Sequence, residues 1–366
     1  MTSKIVGRSY PSVPITSCAG SRPRIPGTST SSGSNASGSR ASKDHVPGAP
    51  GTSAHVSEPR VLLSGLAMPE SPRWHDGRLW FSNWGADEIV AVDLEGNSEV
   101  VGRGPAGAGW AVNWLPDERM LITGSELVRV EHDGSRVRHA DLSHLSPYDW
   151  SEMTVDGRGN VYVNTINFDF TDFDAVLSSG RAPGKIALVT PEGDVREVAG
   201  EIAFPNGMVI TPDNKTLVVA ESFAARLTAF DIAEDGTLSN RRVWADGVGP
   251  DGICLDADGC IWASSGSMTN DCARIREGGE ILETVELDRS CFAAMLGGPD
   301  RRTLFMLTAE WRGTEDIEDY EPRPRRGKRG PALGCSAVGQ PTGPTVPRPR
   351  GPGTSAGSAT GRHDRG

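Results

Sequence analysis

The amino-acid sequence predicts an all-β fold: a six-bladed β-propeller with disordered N- and C-terminal tails. Three observations lead there. The body of the chain holds no convincing amphipathic helix and alternates short apolar runs with Asp/Gly/Asn turns. One strand–turn–strand unit recurs six times along it. Its period lies in the low forties of residues, as expected when each unit is a four-stranded blade.

The six copies span Trp74–Phe81, Leu115–Ile122, Val155–Val163, Thr211–Val219, Leu255–Trp262 and Gly297–Phe305. Aligned on Trp80, Leu121, Tyr162, Val218, Trp262 and Phe305, they are separated by 41, 41, 56, 44 and 43 residues. The one long interval fits an insertion in Asn167–Gly184. Alternating runs such as Glu88–Asp93 and Arg226–Asp231 supply the outer strands of a blade. The aligned aromatic residues read as blade core, which needs such bulk.

Composition sets the boundaries. The chain has 366 residues. Residues 1–57 are rich in Ser, Gly, Pro and Thr, and residues 321–366 in Pro, Arg and Gly. Neither stretch has enough apolar surface to offset ordering entropy, so both are expected to be disordered and the propeller to occupy 58–320. Charge divides the same way. The first tail carries six Lys/Arg against one Asp, and the last nine Lys/Arg against two acidic residues. With a net charge of −11 overall, the body is left at −23. A body this acidic repels nucleic acid and anionic lipid and suits a cation. The basic tails lack the interleaved aromatics of nucleic-acid readers.

The six cysteines show no CxxC or Cys/His spacing, no run of 18 apolar residues could span a bilayer, and no apolar stretch of signal-peptide length opens the chain. A cytoplasmic protein with reduced thiols is the expectation. The sequence does not specify oligomeric state.

The candidate chemistry sits just after prolines at the mouths of strands. Glu70 follows Pro69, Asn206 follows Pro205 and Asp251 follows Pro250, each before an apolar run and an Asp/Gly or Asp/Asn turn. Three hard oxygen ligands at equivalent points of a repeated unit can converge on one axis and hold one cation. Carboxylate and amide oxygens favour Ca²⁺, Mg²⁺ or Mn²⁺, with Zn²⁺ possible by geometry. Taken singly, each of these residues also reads as a turn cap after proline. Two formal motif matches are rejected. Gly102–Gly107 fits GxGxxG, but a strand rather than a helix follows; Gly353–Gly357 fits GxSxG within the low-complexity tail.

Together, Pro69-Glu70-Ser71-Pro72, Pro205-Asn206-Gly207-Met208 and Pro250-Asp251-Gly252-Ile253, the last followed by Asp258-Gly259-Cys260-Ile261-Trp262, resemble the SMP-30/gluconolactonase/luciferin-regenerating-enzyme family over roughly residues 58–312. The resemblance implies a six-bladed propeller with one divalent cation, most commonly Ca²⁺, in its central channel and hydrolysis of a sugar-acid lactone or another small lactone. It implies Glu70, Asn206 and Asp251 as metal ligands, with Asp251 also orienting or deprotonating the attacking water. A non-catalytic propeller that binds a small ligand or partner protein is the alternative.

Two departures from the family pattern bear on substrate and closure. Where many members carry Arg-x-Asn-Asp, this chain has Asp149-Trp150-Ser151-Glu152. Ser151 can still offer an oxygen, but the anion-binding Arg is missing, which argues against an acidic sugar substrate. Ser151, Glu152 and Trp150 are the expected substrate-binding residues, with Trp84, Trp110 and Phe168 at the channel mouth. The closing C-terminal strand is also missing from the pattern. Residues 58–64 are expected to pair in the final blade, and residues 321–366 to add no strand.

Overall fold

The computed structural model describes residues 59–106, 109–311 and 334–338. The chain is an all-β propeller. Five four-stranded antiparallel sheets follow one another, over 69–103, 112–140, 153–202, 205–246 and 253–286, each built from four consecutive strands. A further four-stranded sheet is assembled from both ends of the described chain. Its strand order is Ser290–Gly297, Thr303–Ala309, Gly334–Val338, Arg60–Ser64.

That sheet meets one expectation and corrects another. Arg60–Ser64 does pair into the final sheet. However, Gly334–Val338 lies between it and Thr303–Ala309, with Cα partners Ser336–Val61 and Ala337–Phe305. Proline and arginine density around this segment hid a five-residue run, Gly-Cys-Ser-Ala-Val, that is free of both. Apart from this strand, the two expected tails lie outside the described residues.

The repeat maps directly onto the sheets. Trp80, Leu121, Tyr162, Val218, Trp262 and Phe305 each sit in the second strand of their own sheet. Those strands are packed on both faces, so they are nearly continuously apolar: Leu217, Val218, Val219 and Ala220 are all buried. The core is divided among the gaps between sheets. Leu121 and Leu127 meet Val161 and Ala187 in one gap, and Tyr162 and Leu188 meet Leu217 and Phe230 in the next. Phe305 and Leu307 of the last sheet meet Leu79 and Phe81 of the first. The hairpin turns are Asx turns: Asp156 Oδ1 accepts from Arg158 N and Asn160 N at 2.9 Å each, and Asp256 Oδ1 from Asp258 N at 2.9 Å and Cys260 N at 2.8 Å.

The long interval in the repeat is an insertion between the second and third strands of the third sheet. It holds a 3₁₀ turn, Phe170–Asp172, and a short helix, Phe173–Ser179, ended by Gly180 at φ 65°. Asn167 Nδ2 donates to Pro183 O at 3.1 Å and closes its base. No helix among the described residues is long and apolar enough to cross a membrane.

Candidate metal centre

Glu70 and Asn206 occupy equivalent points of the first and fourth sheets. The residues before the two prolines, Met68 and Phe204, are both held in the left-handed region, at φ 56° and 58°. A non-glycine residue keeps such a conformation only when its surroundings enforce it. Here the same hydrogen bonds do so twice. Trp84 N donates to Met68 O at 3.2 Å, and Ser222 N to Phe204 O at 3.1 Å. Ala67 N donates to Asn83 Oδ1 at 2.7 Å, and Ala203 N to Glu221 Oε2 at 2.8 Å. A register shift then follows in both strands, between Glu70 and Arg73 and between Pro205 and Met208. One extra residue in a strand re-aims the neighbouring side chain.

Asp251 stands at the entrance of the fifth sheet. Its N donates to Ser264 O at 2.8 Å, and Ser264 N returns a bond to Gly252 O at 3.0 Å. Ser151 and Glu152 have the same arrangement in the third sheet: Ser151 N donates to Asn164 O at 2.8 Å and Asn164 N to Glu152 O at 2.9 Å. Ser151 is therefore the positional counterpart of Asp251. The glycines after Asn206 and Asp251 let adjacent sheets approach. A Cβ on Gly207 would lie 2.5 Å from Ile253 N, and one on Gly252 2.6 Å from Ala293 Cα. Cross-sheet bonds complete the rim: Gly207 N donates to Asp251 O at 3.1 Å, and Asn164 Nδ2 to Asn206 O at 2.7 Å.

The electrostatics link three carboxylates. Enclosure by protein, then the charges of Asp251 and Glu152, push the Glu70 pKa well above the usual carboxylate range, against a hydrogen bond from the Trp84 side chain. Enclosure, then Cys291 and Glu152, push Asp251 the same way, against a hydrogen bond from the Asn206 side chain. Asp251 Oδ1 is buried and has no hydrogen-bond partner. As residues, Glu70, Asn206 and Asp251 are half-buried. An unpartnered carboxylate oxygen among like charges is costly unless something positive joins it. Two carboxylates and an amide oxygen are hard donors, the chemistry that a divalent cation takes. Among the described residues no group of three or more His, Cys, Asp or Glu is spaced to hold a metal. The candidate set contains two such residues plus Asn206.

Glu152 is the third carboxylate, but both its oxygens are engaged. Ser71 Oγ donates to Oε1, and Arg73 Nη2 to Oε2 at 3.1 Å. Arg73 Nη2 also donates to Met153 O at 2.7 Å. Glu152 thus flanks the candidate ligands with a fixed charge instead of offering free oxygens to a substrate. Ser151 is half-buried, and its carbonyl accepts from Thr123 Oγ1 at 2.6 Å. Trp150 is 0% exposed and packs with Leu142, Met153 and Val163 between sheets, so it presents no face to a ligand. Trp84, Trp110 and Phe168 are also buried; of these, Trp84 reaches the site through Glu70.

Sequence reasoning missed Ser71, Arg73, Asn164 and Cys291. Ser71 and Arg73 fall within the Glu70 motif, and the one-residue bulge that turns them toward Glu152 has no signature in composition. A surface pocket of about 540 Å³ that shares no residue with this centre is lined by Arg181, Ala182, Pro183, Glu201, Arg226 and Arg241. Buried Glu221 holds Arg226 at 3.0 Å and Arg241 at 3.1 Å.

The family model for the SMP-30/Gluconolactonase/LRE-like region matches residues 68–310. The adipocyte plasma membrane-associated protein Hemomucin of Drosophila melanogaster is 35% identical over 178 residues, covering 47% of this chain. The 6-deoxy-6-sulfogluconolactonase of Pseudomonas putida is 28% identical over 149 residues, covering 38% of this chain. The matched stretches span 28% and 50% of those two relatives. The crystal structure of a calcium-binding protein, regucalcin, from Agrobacterium tumefaciens superposes with a TM-score of 0.62 at 20% identity, covering 78% of this chain and 94% of that one. At that identity the likeness establishes the fold.

Proposed function

The chain belongs to the SMP-30/gluconolactonase/LRE-like family, and from that premise we propose that it is a divalent-metal-dependent hydrolase that opens a small lactone in the propeller channel. One observation carries the reading: Asp251 Oδ1 is buried without a partner, in a carboxyl group whose proton affinity is raised by its enclosure and by Glu152. A group with those properties is a competent proton acceptor. A relative named as a lactonase supports the reaction class.

Glu70, Asn206 and Asp251 would hold the cation. When bound there, it supplies Lewis-acid polarisation of the lactone carbonyl and acidifies water. Asp251 takes a proton from the attacking water as the water oxygen bonds to the carbonyl carbon. The ring C–O bond then breaks, and the ring oxygen takes the proton back from Asp251. The product is the open hydroxy acid. The Asn206 amide, hydrogen-bonded to Asp251, orients the carboxylate for both transfers. Arg73 and Ser71 keep Glu152 fixed beside the site.

The sheet formed from both chain ends serves as the sixth blade and closes the ring around this channel. Residues 58–320, with the strand Gly334–Val338, carry the activity, and Ca²⁺ suits the oxygen-only donor set. The reading is tested with a panel of γ- and δ-lactones, with and without chelator. Hydrolysis that is lost with chelator and restored by a divalent cation supports it. The departure at Asp149 and Ser151 favours a second reading, a propeller that binds ligand without turnover; cation binding with no hydrolysis across the panel would support that one.

A further inference from the structure

The insertion in the third sheet brings five phenylalanines together beside the candidate centre. Phe168, Phe170 and Phe173 come from the insertion, Phe204 from the approach to Asn206, and Phe223 from the 3₁₀ turn Ser222–Ala224. Phe204 and Phe223 stack, with centroids 4.5 Å apart and planes at 27°. Phe173 meets both edge-on, at 5.5 Å and 4.9 Å. Phe170 lies 5.6 Å from Phe173, and Phe168 lies 6.0 Å from Phe204. These are the distances and angles of mutually attractive aromatic pairs.

Two features distinguish this cluster from the private core of a surface loop. It is continuous with the ligand-bearing backbone. Phe204 is two residues from Asn206, and Phe223 adjoins Ser222, whose hydroxyl donates to Pro250 O at 2.8 Å, next to Asp251. The insertion springs from the strand that carries Asn164, whose amide bonds Asn206 O. The cluster is also unsealed: Phe168 is buried, but Phe170, Phe173, Phe204 and Phe223 each keep part of their surface open. Partly open aromatic surface next to polar, ligand-type side chains suits the lining of a binding site.

We propose that Phe170, Phe173, Phe204 and Phe223 form an apolar wall that takes an alkyl or aryl substituent on the lactone ring, so that the substrate class is an apolar-substituted lactone. This rests on the hydrolase reading above. The chemistry at the base of the same insertion agrees: Asp149, whose carbonyl accepts from Thr165 Oγ1 at 2.8 Å, and Ser151 stand where an anion-binding Arg and an Asn would serve a polar substrate.

The test compares kcat/KM for a phenyl-substituted γ-butyrolactone with that for γ-butyrolactone itself, in wild type, Phe170→Ala, Phe173→Ala and Phe173→Leu. Wild type should prefer the phenyl lactone by at least about tenfold, the scale of burying one apolar group. Each Ala variant should lower that ratio several-fold, mainly through KM, and Phe173→Leu should retain most of it. The Leu variant keeps apolar volume, so it reports even if an Ala variant fails to fold. No wild-type preference, or a ratio unchanged in folded variants, overturns the wall. If no lactone is turned over, the hydrolase reading fails separately. The wall is then read by calorimetric binding of 3-phenylcyclopentanone against cyclopentanone, where equal affinity would overturn it.

Discussion

Gly207 N donates to the main-chain carbonyl of Asp251 at 3.1 Å, tying the Asn-Gly step of one sheet to the Asp-Gly step of the next. The bond sets the spacing of two candidate ligands through backbone alone. Asn206 and Asp251 precede the bonded glycine and the close-packed Gly252 respectively, so their side chains project from fixed points. If these two side chains are the proposed ligands, their backbone origins are fixed by folding and not by the cation.

The close approach predicts the effect of filling it. Gly252→Ala would place a methyl 2.6 Å from Ala293 Cα, where backbone atoms cannot step aside. A loss of about 1–3 kcal/mol is expected from overpacking, read as a lower denaturant midpoint at unchanged m-value. Gly77→Ala has nothing within 4 Å of the added carbon and pays only for its φ of 73°, so its loss should be smaller. Equal losses in the two variants would contradict the packing account.

The raised pKa values of Glu70 and Asp251 predict a pH signature in metal-free protein. A carboxyl group whose folded-state pKa lies above its unfolded value binds more protons when folded. Its contribution is therefore present at low pH and is lost as pH rises from the unfolded value through the folded one. The difference in melting temperature between Glu70→Gln and wild type, both chelated, should grow in favour of the variant above about pH 4.3. Cation affinity should rise over the same window, because binding displaces those protons. A difference that is flat with pH would show that Glu70 is not held among like charges.

Arg73 and Glu152 form a pair with 18% and 9% of their side chains exposed. Arg73→Met leaves the Glu152 carboxylate nearly buried beside two other acids. The loss should approach the roughly 3–5 kcal/mol of breaking a buried pair. Arg73→Met/Glu152→Gln should recover much of it. A double-mutant cycle with no coupling would mean that Glu152 is solvated and independent of Arg73.

The strand Gly334–Val338 predicts that the C-terminal region matters to stability. Truncation after residue 333 removes the partner of both Thr303–Ala309 and Arg60–Ser64, leaving two open edges. The melting temperature should fall by several degrees, and self-association should increase. Truncation after residue 338 should do neither. An unchanged melt in the shorter protein would contradict the pairing.

Periodicity made the sheets legible. The repeat of Trp80, Leu121, Tyr162, Val218, Trp262 and Phe305 works because each second strand is buried between neighbours and cannot tolerate a polar centre. The equivalence of Glu70 and Asn206 was legible for a related reason: a residue forced to positive φ before proline recurs wherever the same turn is built. Exposure was not legible. Trp150 and Ser151 are adjacent in sequence, yet one is sealed between sheets and the other is half-open, because successive side chains at a strand entrance diverge. The pairing of Ser71 and Arg73 with Glu152 was hidden because it depends on a bulge and on contact between sheets roughly 80 residues apart. The C-terminal strand was hidden because a short run inside a proline-rich segment carries too few residues to show a period.

Lactone hydrolysis by protein stripped of metal and titrated with Ca²⁺, in wild type and Asp251→Asn, is the most direct test of the proposed metal-dependent mechanism. The mechanism predicts no turnover after stripping, recovery at one equivalent of tightly bound cation, and at least a roughly 10²-fold lower rate in Asp251→Asn that no cation restores. Turnover that survives stripping, or an Asp251→Asn variant as fast as wild type, would contradict it.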